Sequence, residues 1–242
     1  MIQNLKKIKL LLFIITFILL SCKEEKYEYQ VIDEPLAKCL DGYATFIKDG
    51  IEKTYECKDY DLIGYISLDE MDANLGNDCW GWTDLQTAKE YVLMGLENGT
   101  AIIDISQPNN PNYLGKIPTA TVNSMWRDIK VYNNHAFIVS EADDHGMQVF
   151  DLEQLRGLNT KQKFSPDYIY RGYGDSHNIA INTESGYAYT AGAGNSRNPV
   201  GIHALNIKEP KNPKLELQIS DFGYSHDAQI VNYKGPDLDY FE

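Results

Sequence analysis

The hexapeptide "RDIKVY" at Arg127–Tyr132 decides the fold, because related hexapeptides stand at three other places in the chain. These counterparts are "NDCWGW" at Asn77–Trp82, "HNIAIN" at His177–Asn182 and "HDAQIV" at His226–Val231. The second position is occupied by Asp78, Asp128, Asn178 and Asp227, at intervals of 50, 50 and 49 residues. In the last three copies apolar residues then follow two apart, which is the period of a β-strand. A repeat of this length indicates neighbouring copies of one supersecondary unit.

Each of the first three units continues with the same succession of strands. A turn is followed by an aromatic-rich second strand, "EYVLMG", "HAFIVS" or "YAYTAG". The third strand ends in Asp104, Asp151 or Asn206, and a proline introduces the fourth strand. Four short antiparallel strands per unit are typical of propeller blades. A β-sandwich also contains many short strands, but nothing in that fold requires the same dipeptide to return at a fixed interval.

We therefore predict an all-β fold, a β-propeller of four-stranded antiparallel blades in residues 77–242. Three blades occupy about residues 77–220, and a fourth begins at Asp227 and stops at "DYFE" in its second strand. Closure of the ring removes the exposed sheet edges of a propeller. The sequence thus predicts an incomplete propeller, either truncated or completed by another copy, and truncation is the favoured explanation.

Several longer stretches carry a resemblance to a known family. They are "NDCWGWTD", "GTAIIDISQPNNPNYLG", "WRDIKVYNNHAFIVS", "DHGMQVFDLEQL", "SHNIAIN" and "GYSHDAQIVNYKGPDLDY". Together they resemble the choice-of-anchor B family, bacterial surface proteins with LVIVD-type repeats, over residues 77–242. The resemblance implies a propeller displayed on the cell surface by an anchor, here an N-terminal lipid, and it implies no reaction. Cys79 departs from the family pattern, which has a larger aliphatic residue there.

The N-terminus has the pattern of a bacterial lipoprotein. Residues 1–21 are predicted to be a signal peptide, with three lysines before an apolar run that is short for a membrane span. The run ends in "LLSC", which resembles a lipobox and implies lipid attachment at Cys22. Residues 22–38 form an acidic tether, and its "KEEK" start resembles a tag for surface display. We expect an outer-membrane lipoprotein of the cell envelope that faces outward; an inward-facing lipoprotein, a membrane anchor and a soluble secreted protein are the alternatives.

The charge balance bears on the partners. The signal peptide carries three of the 22 basic and none of the 35 acidic residues, which leaves the mature chain at −16. So acidic a chain argues against nucleic acid and anionic lipid surfaces as partners, since both need a basic patch. We therefore expect the protein to contact the membrane only through the acyl chains on Cys22.

Two cysteines lie in the lead-in segment, residues 39–76. Cys39 and Cys57 flank a short loop, and in an oxidising compartment we expect a disulfide between them. Cys79 is then left over inside an apolar stretch. We interpret it as a small buried apolar residue rather than a reactive thiol.

The repeated polar dipeptides are expected to meet on one face. In a propeller, the links between blades and the loops between second and third strands share one end of the channel. The candidate residues on this face are Asp128, Asp143, Asp144, His145, His177, Asn178, His226 and Asp227. In a structural interpretation, which the repetition favours, they accept backbone N–H groups and lock the links between blades. In a functional one they bind a divalent cation such as calcium or zinc.

We predict a binding or scaffold module rather than an enzyme. Its ligand would be an extracellular protein, peptide or glycan that contacts the channel mouth. The alternative is a metal-dependent hydrolase of the lactonase or esterase kind, in which the same His and Asp residues hold the metal. Trp80, Trp82 and Trp126 are interpreted as packing residues between blades, with stacking on a sugar as the alternative.

Overall fold

The computed structural model describes residues 34–194, 200–237 and 239. The predicted signal peptide and the lipid-attachment residue Cys22 lie outside the described residues. Within them, no helix is long and apolar enough to cross a membrane. The strands are β1 (Cys39–Leu40), β2 (Tyr43–Lys48), β3 (Ile51–Glu56), β4 (Gly76–Asp84), β5 (Lys89–Leu96), β6 (Gly99–Asp104), β7 (Asn112–Pro118), β8 (Arg127–Tyr132), β9 (His135–Ser140), β10 (Met147–Asp151), β11 (Gln162–Lys163), β12 (Tyr168–Tyr170), β13 (Asn178–Asn182), β14 (Tyr187–Ala193), β15 (Gly201–Asn206) and β16 (Lys214–Ile219).

Three of the sheets are the predicted blades. Blade 1 has the order β4-β5-β6-β7, blade 2 the order β8-β9-β10-β12, and blade 3 the order β13-β14-β15-β16. Neighbouring strands within each blade are antiparallel. The predicted all-β fold with incomplete propeller architecture is confirmed. The short 3-10 helix at Leu152–Leu155 follows β10 in blade 2.

Blade 1 has a fifth strand that its own repeat unit does not supply. Strand β11, from the long connection of blade 2, pairs in parallel with β7, and Gln162 stands opposite Gly115. Gly115 has a φ of +130°, and a Cβ atom there would lie 2.0 Å from the carbonyl oxygen of Gln162. Only glycine lets the two backbones approach this closely. The extra strand ties the outer edge of blade 1 to blade 2.

The blades pack face to face, so the strands of blade 2, which lies between the other two, are buried on both sides. Ile129 and Ile138 of blade 2 belong to the core shared with blade 1, and Phe137 and Val139 to the core shared with blade 3. All four side chains are completely buried. The side chains of consecutive strand residues point to opposite sheet faces, so the near-continuous apolar sequence of β9 serves both interfaces.

The lead-in segment forms a small sheet of its own, in the order β1-β2-β3. Cys39 and Cys57 form a disulfide in it, with their Cα atoms 5.9 Å apart. Ala37, at the end of the predicted tether, joins this unit through paired backbone hydrogen bonds with Leu62. Further along the lead-in, Met71 packs with partners in β5 and β6 on the face of blade 1 that lies away from blade 2.

Two sequence expectations need qualification at the ends of the blade array. The prediction that Cys79 is buried is wrong: its side chain is exposed. Cys79 belongs to the face of β4 that lies away from blade 2, and the lead-in covers only the outer part of that face. Residues 221–237, where the sequence predicts the start of a fourth blade, form no strand. Asn232 in this segment accepts a hydrogen bond from Asn182 of β13, so the segment lies beside blade 3.

Candidate binding site at the channel mouth

The first strand of each blade is called its inner strand. The three inner strands, β4, β8 and β13, begin at the same end of the array. A cleft of about 220 Å³ opens there, which we call the channel-mouth cleft. It is lined by Asn77, Asp78, Trp126, Arg127, Asp128, Lys130, His177 and Asn178. Three of the residues predicted from the sequence, Asp128, His177 and Asn178, therefore lie together. Each lining residue comes from the repeated hexapeptide or stands next to it.

Asp128 connects two blades through its carboxylate. Its Oδ2 atom accepts the backbone N–H of Ile179 in blade 3 at 2.8 Å. Its Oδ1 atom accepts the N–H of Ile129 at 2.7 Å and the Lys130 ammonium at 2.5 Å. Asp78 repeats the link one blade earlier, since its Oδ2 accepts the N–H of Ile129 at 3.4 Å. This arrangement matches the structural interpretation, in which the repeated acid locks the links between blades.

Asp78 and Asp128 also interact with each other at the floor of the cleft. Burial of Asp78, followed by its side-chain hydrogen bond to Asp128 and the negative charge there, raises the pKa of Asp78 to about 6. The Lys130 ammonium lies 3.9 Å from Asp78 Oδ2 and opposes that rise. The same ammonium lies over the Trp80 ring, 4.5 Å from its centroid. The pair of carboxylates is thus held together by one shared cation.

His177 is fixed at one side of the cleft by a carboxylate. Its Nδ1 atom lies 2.6 Å from Glu141 Oε1. Because a carboxylate accepts, Nδ1 carries the proton, and Nε2 is left for another hydrogen-bond partner. Tyr224 OH also donates to Glu141 Oε1, at 3.4 Å. The ring of His226 packs on His177 with a centroid separation of 4.1 Å, so a second predicted residue, from the 221–237 segment, joins this edge.

Three polar groups of the cleft have no partner within the part of the chain that the structure describes. The side-chain amides of Asn77 and Asn178 make no hydrogen bond to other described residues, and neither does His177 Nε2. Beside them stands Trp126, whose side chain is 44 % exposed and whose ring lies 6.1 Å from that of His177. The cleft therefore offers an aromatic surface next to donors and acceptors that water or a ligand must satisfy.

The other two tryptophans differ from Trp126. Trp82 is buried between blades 1 and 2, stacks on Tyr91 and donates its indole N–H to Asn134 at 3.2 Å. Trp80 is 42 % exposed and lies under the Lys130 ammonium. The packing interpretation therefore describes Trp82, whereas Trp126 lies at the rim of the cleft.

His145 is predicted on this face, but the structure places it in the interior. It is completely buried, and its Nε2 accepts a hydrogen bond from the Arg127 guanidinium at 2.9 Å. Its Nδ1 donates to the carbonyl oxygen of Gly146 at 3.0 Å. Burial, and then the charge of Arg127, lowers the pKa of His145 to about 4. Both ring nitrogens are engaged, so this histidine has no nitrogen left for a metal or a ligand.

Arg127 supports the cleft from beneath. Its side chain is 1 % exposed and also donates to the carbonyl oxygen of Leu96 at 3.0 Å and to Thr119 Oγ1 at 3.1 Å. Burial lowers its pKa to about 10, so the guanidinium keeps its charge at neutral pH.

The three remaining candidates lie outside the cleft. Asp143 and Asp144 are exposed in the loop between β9 and β10. Together with burial, their charges raise the pKa of Asp175. Asp227 is exposed, and its Oδ1 accepts the N–H of the adjacent Ala228 at 2.7 Å. Among the described residues, no group of three or more His, Cys, Asp or Glu side chains is placed to hold a metal ion.

The residues predicted for this face do not include Asn77, Asp78, Lys130 or Glu141. Asp78 is the first member of the repeated acid series, so the repeat alone indicates that it belongs to the site. Lys130 stands two residues after Asp128 and shares its sheet face, which the strand period also indicates. Glu141 lies just beyond the end of β9, and no sequence pattern connects it with His177.

Comparison with known proteins adds nothing to this geometry, because no family model, no curated protein and no solved structure matches the chain.

Proposed function

We propose that this chain is a surface-anchored binding module of the choice-of-anchor B type, and that its channel-mouth cleft binds an extracellular ligand. The observation that carries the proposal is the set of polar groups on Asn77, Asn178 and His177 that have no partner among the described residues and lie beside the exposed Trp126. These groups stand at the starts of packed inner strands. The strands hold the backbone of these residues in place, which lowers the cost of ordering the site when a ligand binds.

The location proposed for the module rests on the N-terminal sequence. The apolar run that ends in "LLSC" supports lipid attachment at Cys22 and retention in the outer membrane. The "KEEK" segment supports outward display. Metabolic labelling with an acyl-chain probe tests the anchor: wild type is expected to be labelled and a Cys22→Ala variant unlabelled. Protease shaving of intact cells tests the orientation.

Metal-dependent hydrolysis is the second candidate function for the same residues. The adjacent rings of His177 and His226, together with the carboxylate on His177, are the observation in its favour. A histidine oriented by a carboxylate is a frequent metal ligand, because the carboxylate fixes the ring and raises its basicity.

One experiment separates the two candidates. The full chain and a Trp126→Ala variant are screened in parallel against saccharide and peptide arrays, and the metal content of the wild type is measured. A probe that the wild type retains and the variant loses supports the binding module. Stoichiometric metal that disappears in His177→Ala and His226→Ala, with ester or lactone hydrolysis that disappears with it, would replace the binding module by the hydrolase.

A further inference from the structure

We propose that the ligand of the channel-mouth cleft is a neutral saccharide, and that the cleft receives one of its sugar rings. This inference rests on the proposed binding function and names its ligand class. It follows from three properties of the cleft: its charge balance, the kind of polar group left unpaired, and its size.

The charges that line the cleft cancel. Two carboxylates, Asp78 and Asp128, are matched by the Lys130 ammonium and the Arg127 guanidinium. The Lys130 ammonium already occupies Asp128 at 2.5 Å, so a cationic ligand would compete with a resident cation. An anionic ligand would meet the carboxylate of Asp78, whose side chain is 38 % exposed. A neutral ligand avoids both costs, since it does not have to displace Lys130 from the two carboxylates.

The unpaired groups suit hydroxyls. An asparagine amide offers donors and an acceptor side by side, and a hydroxyl both donates and accepts. Asn77 precedes Asp78 in blade 1, Asn178 is the counterpart of Asp128 in blade 3, and His177 Nε2 adds a further hydrogen-bonding atom. Several hydroxyls on one ring can meet these groups together, which an apolar ligand cannot do without leaving them unsatisfied.

Trp126 supplies the apolar half of the recognition. One face of a pyranose ring consists of C–H groups, while its hydroxyls point outward from the ring. An exposed indole beside polar groups matches this division, because it buries the C–H face and leaves the hydroxyls for the polar wall. The ring of His177 lies next to Trp126 and extends the aromatic surface.

The size of the cleft limits the ligand to one ring. Its volume is about 220 Å³, below the range of about 300–1,000 Å³ that encloses drug-sized ligands. The neighbouring rings of a longer saccharide would lie outside the cleft in solvent. We therefore expect a terminal sugar or one protruding ring to be recognised, rather than an extended chain.

The test is calorimetric titration of the full chain with cello-, malto-, xylo- and N-acetylchito-oligosaccharides, and with tri-lysine peptide and heparin as charged probes. We expect at least one neutral saccharide to bind, and Trp126→Ala to weaken it by about tenfold, the loss expected for one stacked aromatic ring. Asn178→Ala is expected to weaken it by a similar factor. Tyr60→Ala removes an aromatic side chain that is 82 % exposed in the lead-in, and it should leave binding unchanged.

The possible failures are distinguishable. Binding of tri-lysine that Trp126→Ala abolishes would overturn the saccharide inference and leave the proposed binding function in place. Saccharide binding that survives both Trp126→Ala and Asn178→Ala would also overturn it, because the sugar would then lie elsewhere. A panel in which no neutral saccharide binds the folded wild type would refute it as well. A Trp126→Phe variant, which keeps an aromatic ring, should retain most of the affinity and so distinguishes lost stacking from lost folding.

Discussion

Asp128 Oδ2 accepts the backbone N–H of Ile179 at 2.8 Å, and the two residues belong to adjacent blades. The equivalent relationship joins Asp78 to Ile129 at 3.4 Å one blade earlier. The recurring acid in the hexapeptide therefore accepts a backbone N–H of the next blade in two successive units. It satisfies an amide at the start of the next inner strand, where the blade's own ladder supplies no partner.

Replacing Asp128 with alanine should destabilise the blade array. The change leaves the Ile179 amide and the Lys130 ammonium without their acceptor in a nearly buried position, and we expect a loss of roughly 2–3 kcal/mol in the free energy of unfolding. Urea unfolding followed by circular dichroism measures it. Asp227→Ala is the matched control: Asp227 holds the same place in the repeat but is exposed, so its loss should change stability by less than about 0.5 kcal/mol. Equal effects of the two variants would contradict the interblade task of Asp128.

The placement of these residues shows what a repeat can and cannot predict. The fixed interval between Asp78, Asp128 and Asn178, together with four short strands per unit, predicts radial blades in which the same position recurs at the start of each first strand. The interval does not predict which face of a blade packs against another part of the chain. The apolar neighbours of Cys79 in sequence predict burial, but its exposure depends on what lies against the far face of β4.

Long-range side-chain contacts cannot be predicted from the sequence either, because they leave no local pattern in it. His145 stands in a polar loop sequence, "EADDHG", that predicts exposure. The structure buries it instead, and the Arg127 guanidinium of β8 donates to its Nε2. Strand β11 was not predicted either, since its two polar residues, Gln162 and Lys163, show no hydrophobic pattern. The strand is defined by its parallel pairing with β7.

The raised pKa of Asp78 should make stability depend on pH in a defined window. The pKa of Asp78 rises from 3.8 to about 6 on folding. Between these values the folded state binds more protons than the unfolded state, so this group lowers stability as pH rises from about 4 to about 6. Above pH 6 Asp78 is charged in the folded state, and the loss of stability caused by its charge has reached its full value.

An Asp78→Asn variant removes this dependence. The stability of the variant relative to wild type should increase from pH 4 to pH 6 and then level off. Urea midpoints measured at half-unit pH steps give the difference, and other titrating groups cancel because both proteins share them. A relative stability that is flat across the window, or that falls, would show that Asp78 is not protonated above its ordinary range. Asp237→Asn, at an exposed position, provides the baseline.

Asp84 should act in the opposite direction, since its carboxylate is stabilised by folding. It is 1 % exposed and accepts two hydrogen bonds from the Arg156 guanidinium, at 2.8 and 2.9 Å. The guanidinium holds the pKa of Asp84 far below its ordinary value. Its contribution is therefore fully present above about pH 4 and is lost as the pH falls toward the folded-state pKa.

An Asp84→Asn variant is expected to lose roughly 1.5–3 kcal/mol of unfolding free energy at pH 7, the usual worth of hydrogen bonds to a charged group. The deficit should shrink below about pH 4, because the unfolded wild type then binds a proton at Asp84 that the folded state does not bind. Glu153→Gln is the control, because Glu153 also pairs with Arg156, at 3.2 Å, but is exposed. A deficit that stays constant down to pH 2 would mean that Asp84 acts through packing rather than through its charge.

Gly115 should be indispensable for docking of β11. An alanine there would be strained at a φ of +130°, and its Cβ would collide with the Gln162 carbonyl. We expect Gly115→Ala to detach β11 and to remove the hydrogen bond from the Phe164 amide to the Lys116 carbonyl. Hydrogen exchange measures this directly: protection at Phe164 should fall to that of an open loop, while the amides of β5 and β9 keep theirs.

Gly81→Ala gives the matched control, because Gly81 lies in β4 without a positive φ, and no heavy atom lies within 4 Å of the place that an alanine methyl would take. This variant should leave the exchange of Phe164 unchanged. If Gly115→Ala also preserves protection at Phe164, the parallel pairing of β11 with β7 does not depend on the close backbone approach. If instead all three blades lose protection together, β11 is part of the cooperative core rather than a strand added to its edge.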